Sequence, residues 1–263
     1  NKRKIAGFIH DESATGRTFY AEPVEVVELN NELRELEYAA KREIVRILTE
    51  LTATLRTQIE GLVRIEEYLT RIDALRAKAR WAIANGAVKP IISTEGRLLL
   101  RKARHPLLQQ TLRSQHKEIV PLDMELNAER RILVISGPNA GGKSVCLKTT
   151  GILQYMVQCG FLVPTLENSE FPLFESLMID IGDQQSLEND LSTYSSHLVN
   201  MRAMLDEASE RTLILIDEFG SGTEPTIGGA ISESILERFV ERKAYGVITT
   251  HYANIKYFAS RNE

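Results

Sequence analysis

The stretch from Ile132 to Gly151, ILVISGPNAGGKSVCLKTTG, changes character halfway. An apolar, β-branched run passes into a glycine-rich segment, then into Lys143, Ser144 and a pattern with helical spacing. Few folds accommodate that order, because a buried strand must stop, turn sharply and feed a helix beside itself. Gly137 to Ser144, GPNAGGKS, matches G-x-x-x-x-G-K-[ST], the phosphate-binding loop. Glycines there let consecutive backbone N–H groups form a concave nest facing phosphate oxygens. The dipole of the following helix adds positive potential at the same point. The expected binding residues are Gly137, Pro138, Asn139, Ala140, Gly141 and Gly142, then Lys143, Ser144 and Val145 at the helix start. Lys143 offers a point charge to the β- and γ-phosphates, and the Ser144 hydroxyl is a hard oxygen ligand for Mg²⁺. With Gly near 7% of residues, a chain of this length meets the pattern by chance roughly once in a hundred. A nucleoside triphosphate is the expected ligand.

Such a ligand requires carboxylates, and TLILIDEFGSGTEP, Thr212 to Pro225, supplies them. Leu213 to Ile216 reads as a strand buried on both faces of a parallel sheet. At its end Asp217 is expected to hold Mg²⁺ through water, and Glu218 to polarise the attacking water. Downstream, YGVITTHY repeats the design of buried strand and polar tip. His251 falls where a side chain touches the γ-phosphate or orients water, a catalytic or sensing role.

Between loop and acid strand lies GDQQSLENDLSTYSSHLVNM, Gly182 to Met201. A strand-like run from Leu177 to Ile181 ends there, so Gln184 or Gln185 is a candidate for the metal or its water. Ser192, Thr193, Ser195 and Ser196 then crowd the start of an amphipathic helix carrying Leu198, Met201 and Leu205. Hydroxyls at a helix start ordinarily just cap it. These lie upstream of the acid strand, where ABC-type ATPases place a signature loop that reaches the γ-phosphate held by a second subunit.

GPNAGGKS, DLSTYSSH, DEFGSGTEP and TTHY, in this order, resemble the ATPase domain of the MutS family of mismatch-repair-type proteins. Ala140, the doubled serine of STYSSH and Thr223-Glu224-Pro225 resemble the bacterial MutS-two branch, although Glu224 stands where that branch usually has Asp. The likeness continues upstream through ARHPLL and VELNNELRELE and so covers nearly the whole chain. It implies an α/β fold, an ABC-type P-loop NTPase domain preceded by a long-helix lever or core region. The implied cofactors are ATP and Mg²⁺, the implied reaction is ATP hydrolysis, and the implied assembly is a homodimer. In that assembly Ser192 and Thr193 act in trans, and Ile119, in KEIVPLD, packs on adenine. Two clients fit: branched or mismatched DNA, with suppression of homologous recombination, or collided ribosomes and their rRNA. A nucleotide-gated scaffold is a third reading. A transporter ATPase is disfavoured, since STYSS replaces a glycine-rich signature. The nuclease domain that some relatives carry has no counterpart in these residues, and no nuclease activity is expected of them.

The remaining sequence sets the organisation. Residues 7–23 read as two strands around a polar tip, Ser13-Ala14-Thr15-Gly16, a hairpin. By resemblance residues 1–23 end a clamp, and Arg17 at the tip is a candidate contact for nucleic-acid phosphates. Residues 24–89 form the expected helical lever. Leu29, Leu33, Leu36, Ala40, Ile44, Ile47, Leu51 and Leu55 make a stripe with coiled-coil spacing. Gly61 is expected to mark a bend before Leu62, Ile65, Leu69, Ile72 and Leu75 resume the stripe. Residues 90–263 form the ATPase domain, expected to be C-terminally incomplete in a piece of a longer protein.

Among 263 residues, Lys+Arg 32 against Asp+Glu 36 leaves a net charge of −4, so composition gives no nucleic-acid footprint. Only local basic spots occur, such as Lys2-Arg3-Lys4 and Arg97 with Arg101, Lys102 and Arg104. Cys146 and Cys159 lack metal spacing, and no secretory or membrane-spanning segment is read, so a cytoplasmic protein without a membrane partner is expected.

Overall fold

β-Branched and apolar residues make the segment Thr212–Ile216 (β9) a strand that no surface would tolerate, and all five of its residues are buried. A computed structural model describes residues 6–12, 19–138, 141–181 and 193–261. In it β9 pairs in parallel with Ser176–Asp180 (β8) on one side and Tyr245–Thr250 (β10) on the other. Ile132–Ser136 (β6) pairs in parallel with β10, giving the order β6-β10-β9-β8. Because side chains alternate along a strand, β9 feeds two cores. Leu213 and Leu215 join one that includes Leu147 and Leu153 of α4 (Lys143–Gln158). Ile214 and Ile216 join the other, with Met201 and Met204 of α5 (Thr193–Glu207), Leu236 and Phe239 of α6 (Pro225–Glu241) and Ile255 of α7 (Ala253–Arg261). Each such full burial stabilises by roughly 1.5–3 kcal/mol. Helices thus cover both faces, as a parallel sheet requires.

A second sheet has the order β3-β7-β4-β5, formed by Ile91–Ser93 (β3), Glu170–Pro172 (β7), Leu98–Ala103 (β4) and Leu122–Leu126 (β5). Leu98, Leu100, Met124 and Leu126 point into the same core as α4. Pro106–Ser114 (α3) joins β4 to β5, and His105 caps it by accepting from the Leu108 N–H.

The chain divides into two units, Asn1–Asp73 and Ala74–Glu263. The first holds the hairpin Gly7–Glu12 (β1) and Phe19–Pro23 (β2), antiparallel, with a bulge between Ile9 and Asp11. Pro23 caps Val24–Arg56 (α1), a 33-residue helix with no buried residue. Its stripe from Leu29 to Leu55 is uncovered, with the large residues 48–64% exposed.

One expectation is corrected here. Gly61 is not a bend, since it lies inside Ile59–Asn85 (α2) with open space around its Cα. The break falls at Thr57 and Gln58, where the Gln58 N–H bonds Leu55 O, a tightened final turn, before Leu62 N–H bonds Gln58 O and the helical ladder restarts. Gly61 costs only its ordinary ~1 kcal/mol of helix propensity, too little to relocate that break.

Candidate nucleotide site

Parallel strands with helical crossovers bring their C-terminal ends to one side, and that is where ligands bind in such sheets. Thr250 pairs with Ser136, Ile248 with Ile216, and Asp180 with Ile216. Gly137, His251 and Asp217 are therefore the next residues off adjacent strands, in the spatial order β6, β10, β9.

After β6 the chain enters the phosphate-loop segment. Gly142 sits at φ 81°, a left-handed conformation that a glycine adopts freely, and caps α4. Lys143 opens α4 and is only 6% exposed; its Nζ donates to the Gly137 carbonyl at 2.5 Å. The ammonium is thus folded back onto the first residue of the loop. Ser144 is half-buried beside it and Val145 is exposed. Of the expected loop residues, Gly137 and Pro138 follow β6 directly and Gly141 and Gly142 lead into α4, whereas Asn139 and Ala140 fall outside the described residues.

Two strands away, Asp217 and Glu218 are held by a residue that the sequence reading missed. Thr249, wholly buried on β10, donates its hydroxyl to Asp217 Oδ1 at 2.5 Å and accepts from the Glu218 N–H at 2.8 Å. The signal was a hydroxyl in a strand whose every residue is buried, since such a hydroxyl needs a partner. Glu218 is exposed with φ 52°, a left-handed conformation costing a non-glycine residue of order 1–3 kcal/mol. That twist breaks the strand direction and releases the Glu218 side chain to solvent. The Phe219 N–H to Thr249 O bond and the Ser221 N–H to Glu218 O bond hold the turn. His251 is exposed at the end of β10, between the loop strand and the acid strand.

The donor set suits Mg²⁺, which prefers one or two carboxylates with hydroxyl, water and phosphate oxygens to an all-protein cage. Asp217 is half-buried with one oxygen engaged by Thr249 and the second without a partner among the described residues, and Ser144 supplies a hydroxyl. Among the described residues no group of three or more His, Cys, Asp or Glu forms a self-sufficient cage.

The other expected residues are less closely tied to this site. Ile119 is half-buried in the segment between α3 and β5. β5 in turn contacts α4, through the Thr150 hydroxyl donating to Met124 Sδ at 3.1 Å. Thr193 is the first residue of α5. Gln184, Gln185, Ser192 and Arg17 lie outside the described residues. Cys146 is packed rather than reactive, because burial pushes its thiol up to about 11. Glu224 caps α6, and the Thr226 and Ile227 N–H groups hold its carboxyl below the usual value. No described helix is long and apolar enough to cross a membrane.

The family model described as MutS domain V matches residues 133–263, the span from the loop strand through α7. The chain belongs to the MutS family. It is 46% identical over 259 residues to Endonuclease MutS2 of Shouchella clausii, covering 98% of this chain and 32% of that relative. The same-named protein of Caldanaerobacter subterraneus is 42% identical over 257 residues, with coverage of 98% and 32%. That of Brevibacillus brevis is 43% identical over 255 residues, with coverage of 97% and 32%. This MutS-family chain thus spans about a third of the length of these relatives. Their likeness extends upstream of residue 133, through the helices and hairpin that the domain model does not reach.

Proposed function

We propose that this chain carries the ATPase of a dimeric MutS-family clamp that acts on branched or mismatched DNA and suppresses homologous recombination. The observation that carries the reading is that Gly137, which Lys143 of α4 contacts, Asp217, Glu218 and His251 follow the ends of neighbouring parallel strands, with Thr249 fixing the acid pair. A nucleic-acid client is supported by the name of the relatives, each called Endonuclease MutS2, and of the nucleic acids DNA is the one this reading takes.

In this reading the loop N–H groups and Lys143 grip the ATP phosphates, and Ile119 rests against adenine. Ser144 and, through water, Asp217 would hold Mg²⁺, which when bound would neutralise charge developing on the phosphate. Glu218 polarises the attacking water, and His251 orients that water or senses the γ-phosphate. Gln184 or Gln185 is the candidate for the metal or its water, and Ser192 and Thr193 would complete the partner subunit's site. Residues 1–23 end the clamp, residues 24–89 are its lever, and Arg17 meets nucleic-acid phosphate.

The test compares two variants in the whole protein. Lys143→Ala removes a ground-state phosphate contact and should weaken ATP binding by about a hundredfold. Glu218→Gln should bind ATP normally while losing hydrolysis by about 10²–10⁴-fold, because its role arises when water attacks. Equal loss of binding in both variants would refute the assignment. Capture of partners by Glu218→Gln in ATP then tests the client: DNA supports the reading, and ribosomes without DNA overturn it.

A further inference from the structure

Asp180, the last residue of β8, is a carboxylate that is only 3% exposed and that the proposed chemistry does not use. Burying such a group is costly unless its lone pairs are satisfied. Its Oδ2 meets His197 Nδ1 at 2.6 Å, and its Oδ1 accepts from Asn200 Nδ2 at 2.9 Å. Its main-chain carbonyl accepts from the Asp217 N–H at 2.9 Å. One residue therefore grips two things at once, the metal-binding end of β9 through its backbone and α5 through its side chain.

His197 and Asn200 stand in the first two turns of α5, on the same face, four and seven residues from Thr193. Further along, Met201 and Met204 anchor α5 in the core. That apolar anchor fixes where the helix body lies. Apolar contact is not directional, however, whereas the two polar bonds at Asp180 also set how its first turns are aimed.

We infer that Asp180 is a positioning residue: through His197 and Asn200 it sets the bearing of the start of α5 relative to Asp217, and so couples the metal end of one site to the segment that serves the partner's site. The coupling rests on the reading of α5 as acting in trans; the aiming of α5 does not.

The substitutions separate cleanly. Asp180→Ala removes both bonds to α5 and leaves the main-chain bond to Asp217. Asp180→Asn keeps them both: its amide oxygen accepts from Asn200, and its NH₂ donates to His197 Nδ1 in the Nε2–H tautomer. In the whole protein without nucleotide, Asp180→Ala should speed amide exchange in peptides spanning α5 by about tenfold, with β8, β9 and α6 unchanged. Its kcat for ATP should fall by about tenfold or more while the ATP Kd stays within about threefold. Asp180→Asn should restore both. Faster exchange throughout the sheet, wild-type kcat in Asp180→Ala, or an Asp180→Asn as impaired as Asp180→Ala would each overturn the inference. The trans reading is tested apart from this, by sedimentation of Glu218→Gln with ATP-Mg²⁺. Persistent monomer there would sink the trans reading, while the exchange measurement still decides whether Asp180 aims α5.

Discussion

Replacing Thr249 with valine tests the acid pair with almost no change of shape. The hydroxyl donates to Asp217 and accepts from the Glu218 N–H, so Thr249→Val deletes two hydrogen bonds and adds only a methyl. A bond to a charged acceptor contributes about 1.5–3 kcal/mol, and a buried N–H left unpaired costs about 1–3 kcal/mol. Asp217 is only half-buried and Glu218 is exposed, so water recovers part of the loss. The net destabilisation should be about 3 kcal/mol, equivalent to a fall of about 6–12 °C in the unfolding temperature of a domain this size. Turnover should fall further than stability implies. Without the Thr249 hydroxyl the Asp217 carboxylate and the Glu218 N–H lose their shared anchor, although the main-chain bonds of the turn remain, and displacement by about 1 Å costs on the order of a hundredfold in rate. Thr249→Ser keeps both bonds and removes one methyl, so it should lose about 1 kcal/mol and retain most of the rate. Thermal unfolding and single-turnover hydrolysis on the same preparations provide the assay. A Thr249→Val protein with wild-type turnover, or a Thr249→Ser protein as slow as Thr249→Val, would refute the reasoning.

Gly220→Ala should destabilise by about 3 kcal/mol, since alanine is strained at φ 86° and its Cβ meets Ser232 Oγ and, at 2.6 Å, Tyr252 Cε2. An unchanged urea midpoint would show that the turn yields freely. Glu224 gives a pH signature: with its folded value below 4.5, its contribution is complete above pH 4.5 and is lost as pH falls through the folded value. The stability gap between wild type and Glu224→Gln should thus be open at pH 7 and close in acid, and a gap that widens in acid would contradict the cap. Glu224→Asp keeps a carboxylate at the cap and should preserve that gap.

The phosphate loop and the Asp217-Glu218 pair were legible because their chemistry is written in consecutive residues, each at the end of an unmistakable buried run. Thr249 and the Asp180–His197–Asn200 group were not. Their partners lie between 17 and 32 positions away, and only strand register brings them together. The ending of LMID in an acid, like that of LILI before Asp217, was the available hint that Asp180 also does something. The helix break is hidden for a related reason: glycine is the visible breaker in the sequence, but the hydrogen-bond ladder lapses at Gln58 instead. The exposed stripe of α1 shows the limit of periodicity, which identifies an apolar face but not what covers it.

The turn after β9 and the end of β10 behave as one piece, and this bears on how hydrolysis would be sensed. Thr249 binds Asp217 and Glu218, Thr250 donates to Phe219 O at 3.1 Å, and Tyr252 donates to Gly220 O at 2.9 Å. His251 is thus the exposed residue in a run whose neighbours are tied to four consecutive residues of the acid turn. A group with that connectivity cannot shift toward a γ-phosphate without drawing Glu218 along. The left-handed Glu218 is already strained, so a small displacement of the turn relieves or deepens that strain rather than being absorbed silently. If His251 senses the γ-phosphate and Glu218 acts on the attacking water, as proposed, the two form a single mechanical event in this arrangement. His251→Ala should in consequence lower kcat with little change in ATP affinity, because the proposed ground-state contacts are those of the loop and Lys143. Loss of affinity in step with kcat would place His251 among the binding groups and break the link to Glu218.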